Sequence, residues 1–331
     1  MRALRFDRFG PPAVLYVASV PVPEPGPGEL SVRVAAAGLN PLDGKIREGQ
    51  LRWLPLLARP PRGVGTDFAG TVEAVGPAVE GYAPGDRVFG SLSPLARQGA
   101  VAEGGGVRTD RIARIPPGVT LETAAALPVA GGTAVQALTD DVALRAGQRV
   151  LVTGAAGGVG GAAVQYARHL GASVTGVCSG ANADHVRALG AGTVVDYRTA
   201  DWTRGTAGRD PGDPGTYDVI LDAACATDFV RARRVLAPDG AYLSTLGRHA
   251  AVADLVRGRI AALGSRQRCI GIALRSGAPA WERLIGLAAR GVIAPTIART
   301  IRLEEVAAAQ AAMATGHGRG KTLVVPTPGG P

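Results

Sequence analysis

The chain has 331 residues, of which 46% are hydrophobic, and a formal net charge of +9. This length predicts two domains rather than one small core, and no run of about 18 apolar residues marks a membrane-spanning helix. The basic residues are scattered, without aromatic interleaving or a continuous block, which argues against a nucleic-acid-binding face.

The first third predicts β structure. Val14–Val20 is an apolar run, PVPEPGPGE (21–29) is a turn-rich connector, and Leu30–Ala36 alternates as a half-buried strand. GLNPLDGKIREG (38–49) is a loop that enters a short helix after Pro41. The apolar, proline-bounded stretch 50–62 holds Trp53 and Leu54 and predicts a packed cover or pocket wall. GVGTDFAGTVEAVG (63–76) and PGDRVFG (84–90) continue the strand pattern. The N-terminal MRALRFDRFGPP has no apolar signal core, which predicts a cytoplasmic protein.

From about residue 120 the pattern changes to alternating helix and strand. LETAAALPVAGGTAVQAL (121–138) is helical around Pro128. RVLVTGAAGGVGGAAVQY (149–166) then carries an apolar strand, a small-residue turn, and apolar residues at helical spacing. Fingerprint positions of a dinucleotide-binding loop fall at Ala155, Gly157 and Gly160, with Ala where the first Gly is usual. Ala155, Ala156, Gly157, Gly158, Val159 and Gly160 thus form a turn whose backbone amides would face a pyrophosphate at the positive end of a helix. Strands at 173–178, 193–196, 218–223, 241–245 and 268–274 alternate with helices at 182–189, 226–236 and 249–262. Such alternation predicts an α/β fold with a doubly wound parallel sheet. Helices at 279–290 and 303–314 and a last strand at 322–325 follow.

The three cysteines, Cys178, Cys225 and Cys269, are too widely spaced for a zinc knuckle or a disulfide framework. Of the 36 cationic residues only Lys45 and Lys321 are lysines, which singles both out.

The strings GLNPLD (38–43), GTDFAGTVEAVG (65–76), PGDRVFG (84–90), ALPVAGGTAVQAL (126–138), TGAAGGVG (153–160) and RGKTLVV (319–325) occur in this order along nearly the whole chain. Together they resemble the medium-chain dehydrogenase/reductase superfamily, in its zinc-free quinone oxidoreductase and enone reductase branch. The resemblance implies a GroES-like, mostly-β catalytic domain over 1–122 and 265–331. A Rossmann-like NADPH-binding domain over 123–264 would be inserted in it, with the active site in the cleft between them. Zinc-dependent relatives carry ligands at positions matching Asn40, the Gly65–Thr66–Asp67 segment and about Ala130, and residues 91–112 lack the cysteines of a structural zinc lobe. No zinc site is therefore expected.

The resemblance also implies site residues. Thr133, Ala223, Ala224, Leu246 and Gly247 would line the nicotinamide groove, Tyr197 would lie near the adenosine, and Lys321 would meet the pyrophosphate. Asn40 would orient the loop or donate to the substrate oxygen, and Asp43, Trp53, Leu54 and Phe68 would line the substrate pocket. Lys45 would stand near the substrate carbonyl, where an ammonium stabilises the oxyanion formed when hydride arrives. The strand before the Ser179–Gly180 turn ends without an acid, and a hydroxyl with free amides accepts a 2′-phosphate where a carboxylate would repel it. This predicts NADPH as cofactor, with Arg198 nearby and Ala181 where related sequences add a cation.

The expected function is hydride transfer from NADPH to a quinone or to the β-carbon of an α,β-unsaturated carbonyl compound. Two alternatives stand beside it: an enoyl reductase that tailors a polyketide-like biosynthetic intermediate, and a non-catalytic, cofactor-binding structural or RNA-binding relative. Expected partners are a small-molecule substrate and a second copy of the chain, joined through the edge strand 267–274, with no nucleic acid and no membrane.

Overall fold

The computed structural model describes residues 1–50, 59–204, 215–245, 251–316 and 318–327. The chain divides into two compact units, Met1–Gly132 with Arg275–Gly291 and Pro295–Pro331, and Thr133–Leu274 with Val292–Ala294. Among the described residues no helix is long and apolar enough to cross a membrane.

The first unit is built on the long strand Glu29–Gly38, whose side chains are mostly buried along its length. Its sheet runs in the order Ile297–Ile301, Lys321–Val324, Glu29–Gly38, Asp67–Val75, Arg87–Ser91, Ile112–Arg114, with Gly104–Arg108 also paired to Glu29–Gly38. Neighbours are antiparallel except for the parallel pair Ile297–Ile301 and Lys321–Val324. A smaller three-stranded sheet joins Tyr16–Ser19, Arg2–Phe6 and Arg62–Gly63. Leu30, Val32, Leu39, Phe68, Val72, Val88, Ile112 and Val324 meet in one apolar cluster. Alternation along strands sends these residues to one face, and burying each is worth about 1.5–3 kcal/mol.

The second unit holds six parallel strands in the order Thr193–Asp196, Ser173–Cys178, Arg149–Thr153, Tyr217–Asp222, Leu236–Ser244, Arg268–Gly271. Val150, Leu151 and Val152 are fully buried, as a central strand covered on both faces requires. The strand order reverses beside Arg149–Thr153, the kind of crevice in which open α/β sheets bind ligands at the carboxyl ends of their strands.

The structure shifts several expected boundaries. Arg268–Gly271 pairs in parallel with Ala241–Ser244, so this stretch is part of the nucleotide-type sheet and not of a catalytic segment beginning at 265. The other boundary, expected at 122, falls after Gly132. Val129 N–H donates to the Asp67 carboxylate at 3.2 Å, which ties this stretch into the first unit. The helix expected over 121–138 is two helices, Leu121–Ala125 and Pro128–Gln136, because Pro128 has no N–H to continue the first and is favoured at the start of the second. The helix expected over 226–236 shrinks to Phe229–Ala232 and one tight turn, since Leu236 already opens the next strand.

Candidate active site and cofactor site

In the first unit Asn40 follows the strand Glu29–Gly38 by two residues and caps the helix Pro41–Arg47. Its backbone N–H donates to Asp43 Oδ2 at 2.7 Å, half of a capping box. Its side chain turns the other way. Asn40 Nδ2 donates to Asp67 Oδ2 at 2.9 Å and to the Gly38 carbonyl at 3.4 Å, and Asn40 Oδ1 accepts from Lys321 Nζ at 2.6 Å. Lys321 also donates to the Leu39 carbonyl at 2.9 Å and reaches Asp67 Oδ2 at 3.4 Å. Asp67 further accepts from the Thr66 hydroxyl. Asn40, Asp43, Asp67 and Lys321 are all at most 5% exposed. Buried charge is tolerated only when paired and hydrogen-bonded, and Lys321 and Asp67 meet that condition.

Asp43 is less well supplied. Its Oδ1 is buried without a hydrogen-bond partner, as are Nε and Nη1 of Arg62. Burial pushes its carboxyl up to about 7, with the Asp67 charge adding to the rise and the Asn40 N–H, Lys321 and Arg62 opposing it.

The structure brings Asn40, Asp43 and Lys321 together. Lys45 is half-buried on the last turn of the same short helix. The three donors of Lys321 are engaged inside this unit, so contact with a pyrophosphate would require it to release one of them. Both amide hydrogens of Asn40 are likewise engaged, which favours its loop-orienting role over donation to a substrate oxygen. Phe68, in the strand Asp67–Val75, is 2% exposed and packs in the apolar core of this unit. Trp53, Leu54, Leu246 and Gly247 lie outside the described residues.

In the second unit the strand Arg149–Thr153 leads into Gly154, which takes a left-handed backbone (φ 60°). The tight turn is therefore at Gly154, one residue before the fingerprint position at Ala155. Ala155 and Ala156 continue the turn and are buried, and the helix Gly158–His169 begins at once with Gly157 as its N-cap. A Cβ on Gly160 would lie 2.1 Å from the Gly154 carbonyl oxygen, so only glycine lets helix and turn come this close. The first helical amides have no intrahelical acceptor and form an anion-ready terminus. Ser179 follows the neighbouring strand, its hydroxyl accepting from Asn182 Nδ2 at 3.2 Å. Tyr197 is 47% exposed, and Thr133 is buried in its helix. These features fit a dinucleotide whose pyrophosphate rests on the loop.

Ala223 and Ala224 sit on a turn fixed by a residue that the sequence reading missed. Asp222, fully buried, accepts from the hydroxyl of Thr153, from Ala226 N–H at 3.0 Å, from Thr227 N–H at 3.2 Å and from the Tyr242 hydroxyl at 2.8 Å. Burial first, then the Asp222 charge, pushes the Tyr242 phenol upward, which keeps it a donor. Thr153 in turn accepts from Ala224 N–H at 3.3 Å. The Gly-rich turn and the Ala223–Thr227 turn are thereby tied to one carboxylate. The available sequence signal is the acid that closes the apolar run Val219–Leu221 in YDVILD.

The residues at zinc-ligand positions do not fit the metal. Asn40 is bonded at both ends of its amide, the Thr66 hydroxyl faces Asp67 at 3.3 Å, and Ala130 offers a methyl group. The positive charge held there is the Lys321 ammonium. Among the described residues no group of three or more His, Cys, Asp or Glu side chains is placed to hold a metal ion.

Comparison with known proteins accords with this geometry. A family model described as alcohol dehydrogenase GroES-like domain matches residues 26–117, and one described as zinc-binding dehydrogenase matches residues 189–324. A chloroplastic quinone oxidoreductase of Triphysaria versicolor is 32% identical over 341 aligned positions, covering 98% of each chain. The quinone oxidoreductase of Coxiella burnetii superposes with a TM-score of 0.86 at 28% identity, over 99% of both chains. The Escherichia coli quinone oxidoreductase, solved in complex with NADPH, superposes with a TM-score of 0.83 at 25% identity, over 98% of this chain and 100% of the other.

Proposed function

Because this chain belongs to the quinone oxidoreductase branch of the medium-chain dehydrogenase/reductase superfamily, we propose that it is an NADPH-dependent, zinc-independent reductase. Its acceptor is a quinone or the β-carbon of an α,β-unsaturated carbonyl compound, and it acts in the cytoplasm. The observation that carries this reading is the ammonium–amide–carboxylate cluster of Lys321, Asn40 and Asp67, built around Asn40, which stands where zinc relatives carry a metal ligand. In zinc relatives the metal acidifies the alcohol oxygen so that it can lose its proton as hydride leaves, whereas a quinone or enone is already electron-poor.

The amides at the start of the helix Gly158–His169 would hold the pyrophosphate, and Ser179 and Tyr197 the adenosine end. When bound, the nicotinamide supplies hydride. The Asp222 hydrogen bonds hold the Ala223–Thr227 turn in one conformation, which keeps the groove beside it preformed. Lys45 acts on the acceptor oxygen. As hydride adds to carbon, negative charge gathers on that oxygen, and an ammonium stabilises it and passes it a proton.

A screen of NADPH consumption over quinones, enals, enones and acyl thioesters, with and without chelator, tests this reading. We expect turnover with a quinone or enone that chelator does not diminish. Oxidation of simple alcohols, or activity that chelator abolishes, would overturn it.

A further inference from the structure

We infer that Asp196, carried on the strand beside the Ser179 turn, sets how strongly the cofactor site distinguishes a 2′-phosphate from a 2′-hydroxyl. The inference rests on the dinucleotide reading above and specifies its adenosine end.

By sequence, the strand Ser173–Cys178 ends in Ser179–Gly180–Ala181 with no acid, the pattern of a site that admits NADPH. The fold supplies an acid from the side. Thr193–Asp196 runs parallel to this strand with Asp196 in register with Cys178, and Tyr197 N–H donates to the Cys178 carbonyl at 3.2 Å. The Asp196 side chain therefore emerges at the same carboxyl end of the sheet. Its Oδ1 is held by Arg198 N–H at 2.9 Å. Its Oδ2 is directed at the turn, where a Cβ on Gly180 would lie 2.6 Å from it. A carboxylate oxygen thus covers the bare α-carbon of Gly180, at the strand end where dinucleotide folds recognise the ribose. Its charge is also felt two residues back: after burial, Asp196 is the next cause that pushes the Cys178 thiol up.

The surrounding charges are mixed. The Arg198 guanidinium lies 5.9 Å from the centre of the Tyr197 ring. Arg187 on the adjacent helix pairs with Asp184 at 2.8 Å. A ribose 2′-hydroxyl can donate to a carboxylate placed this way. A 2′-phosphate meets repulsion from half-buried Asp196 that Arg198 offsets only in part, because the exposed guanidinium is the more strongly screened of the two. The result is a site with a narrow NADPH preference, limited by one residue.

Binding of NADPH and of NADH to the full chain, followed by cofactor fluorescence, tests the assignment in wild type, Asp196→Asn and Asp196→Ser. Both replacements keep an oxygen that can accept from Arg198 N–H, and thermal melts check folding. Neutralising the carboxylate should tighten NADPH by about tenfold at low ionic strength. NADH should be unchanged or weaker, and the shift should shrink in about 1 M salt. An NADPH-to-NADH affinity ratio that stays within twofold of wild type in both variants, or a shift indifferent to salt, overturns the role of Asp196. Failure of wild type to bind either cofactor overturns the dinucleotide reading, and this assignment with it.

Discussion

Lys321 and Asn40, far apart in sequence, are joined by a 2.6 Å hydrogen bond, and Asn40 passes the contact on to Asp67 at 2.9 Å. Ammonium, amide and carboxylate form a closed ring, since Lys321 also reaches Asp67. Lys321→Met leaves the fully buried Asp67 charge without its cation. Removing one member of a buried pair typically costs about 3–5 kcal/mol. We expect a clearly lower urea midpoint, partly restored by Asp67→Asn in the same chain. An unchanged midpoint would show that Asp67 is neutral or solvated. Stability must be measured before any cofactor effect of this variant is interpreted.

Asp43 gives a pH signature. Its folded-state carboxyl titrates at about 7, above the ordinary carboxyl range, chiefly through burial. Between the unfolded value near 4 and about 7, the folded state keeps a proton that the unfolded state has lost. Its contribution to stability therefore falls as pH rises through that window and levels off above it. Asp43→Asn cannot ionise, so its melting temperature relative to wild type should be several degrees higher near pH 8 than near pH 5. A pH-independent difference between the two proteins would contradict the assignment.

Lys45 is tested by kinetics. Lys45→Met should lower turnover on the order of 100-fold, or about 3 kcal/mol, with NADPH affinity intact. Lys45→Arg should recover only part, because the planar guanidinium keeps the charge but misplaces it. Near-normal turnover of Lys45→Met with a saturating enone or quinone would make this lysine an ordinary helix residue.

Gly160→Ala tests the loop. The new methyl would meet backbone atoms of Gly154 at 2.1 and 2.6 Å, and backbone cannot move aside as a side-chain tip can. The cost is about 1–3 kcal/mol of stability. Cofactor binding should be lost at concentrations that saturate wild type. Retained binding in a calorimetric titration would mean that the helix start is not the phosphate seat.

Association is the remaining prediction. Arg268–Gly271 is the last strand in its sheet order, paired to Leu236–Ser244 on one side. An unprotected edge recruits another strand. We expect a dimer by light scattering at micromolar concentration, and Ile270→Pro should shift it toward monomer. A monomeric wild type would refute this.

Local pattern made much of this molecule legible. Val150–Val152 reads as a buried strand because a covered parallel strand is apolar on both faces. The Gly-rich turn and the capped helix at Asn40 are short-range features with short-range signals. Pairing across the chain was less legible. Nothing near Ser179 announces that Asp196 will arrive over Gly180, because that depends on parallel register after a helical crossover. Lys321 could be singled out as a rare lysine, but not its Asp67 partner. The core place of Phe68 is not legible either, because a pocket wall and a core face are both apolar in sequence.

The strand Lys321–Val324 lies between Ile297–Ile301 and Glu29–Gly38, and Leu39 N–H bonds back to Thr322. This arrangement sets an order of events on the ribosome. The parallel sheet, drawn from 149–271, can close while synthesis continues. The other sheet cannot be completed, with Ala37 and Gly38 unpaired on that side and Asp67 lacking its cation, until residue 321 has cleared the exit tunnel. Chaperone capture of the nascent chain should therefore concentrate on its earliest strands, and end only once the final ones emerge.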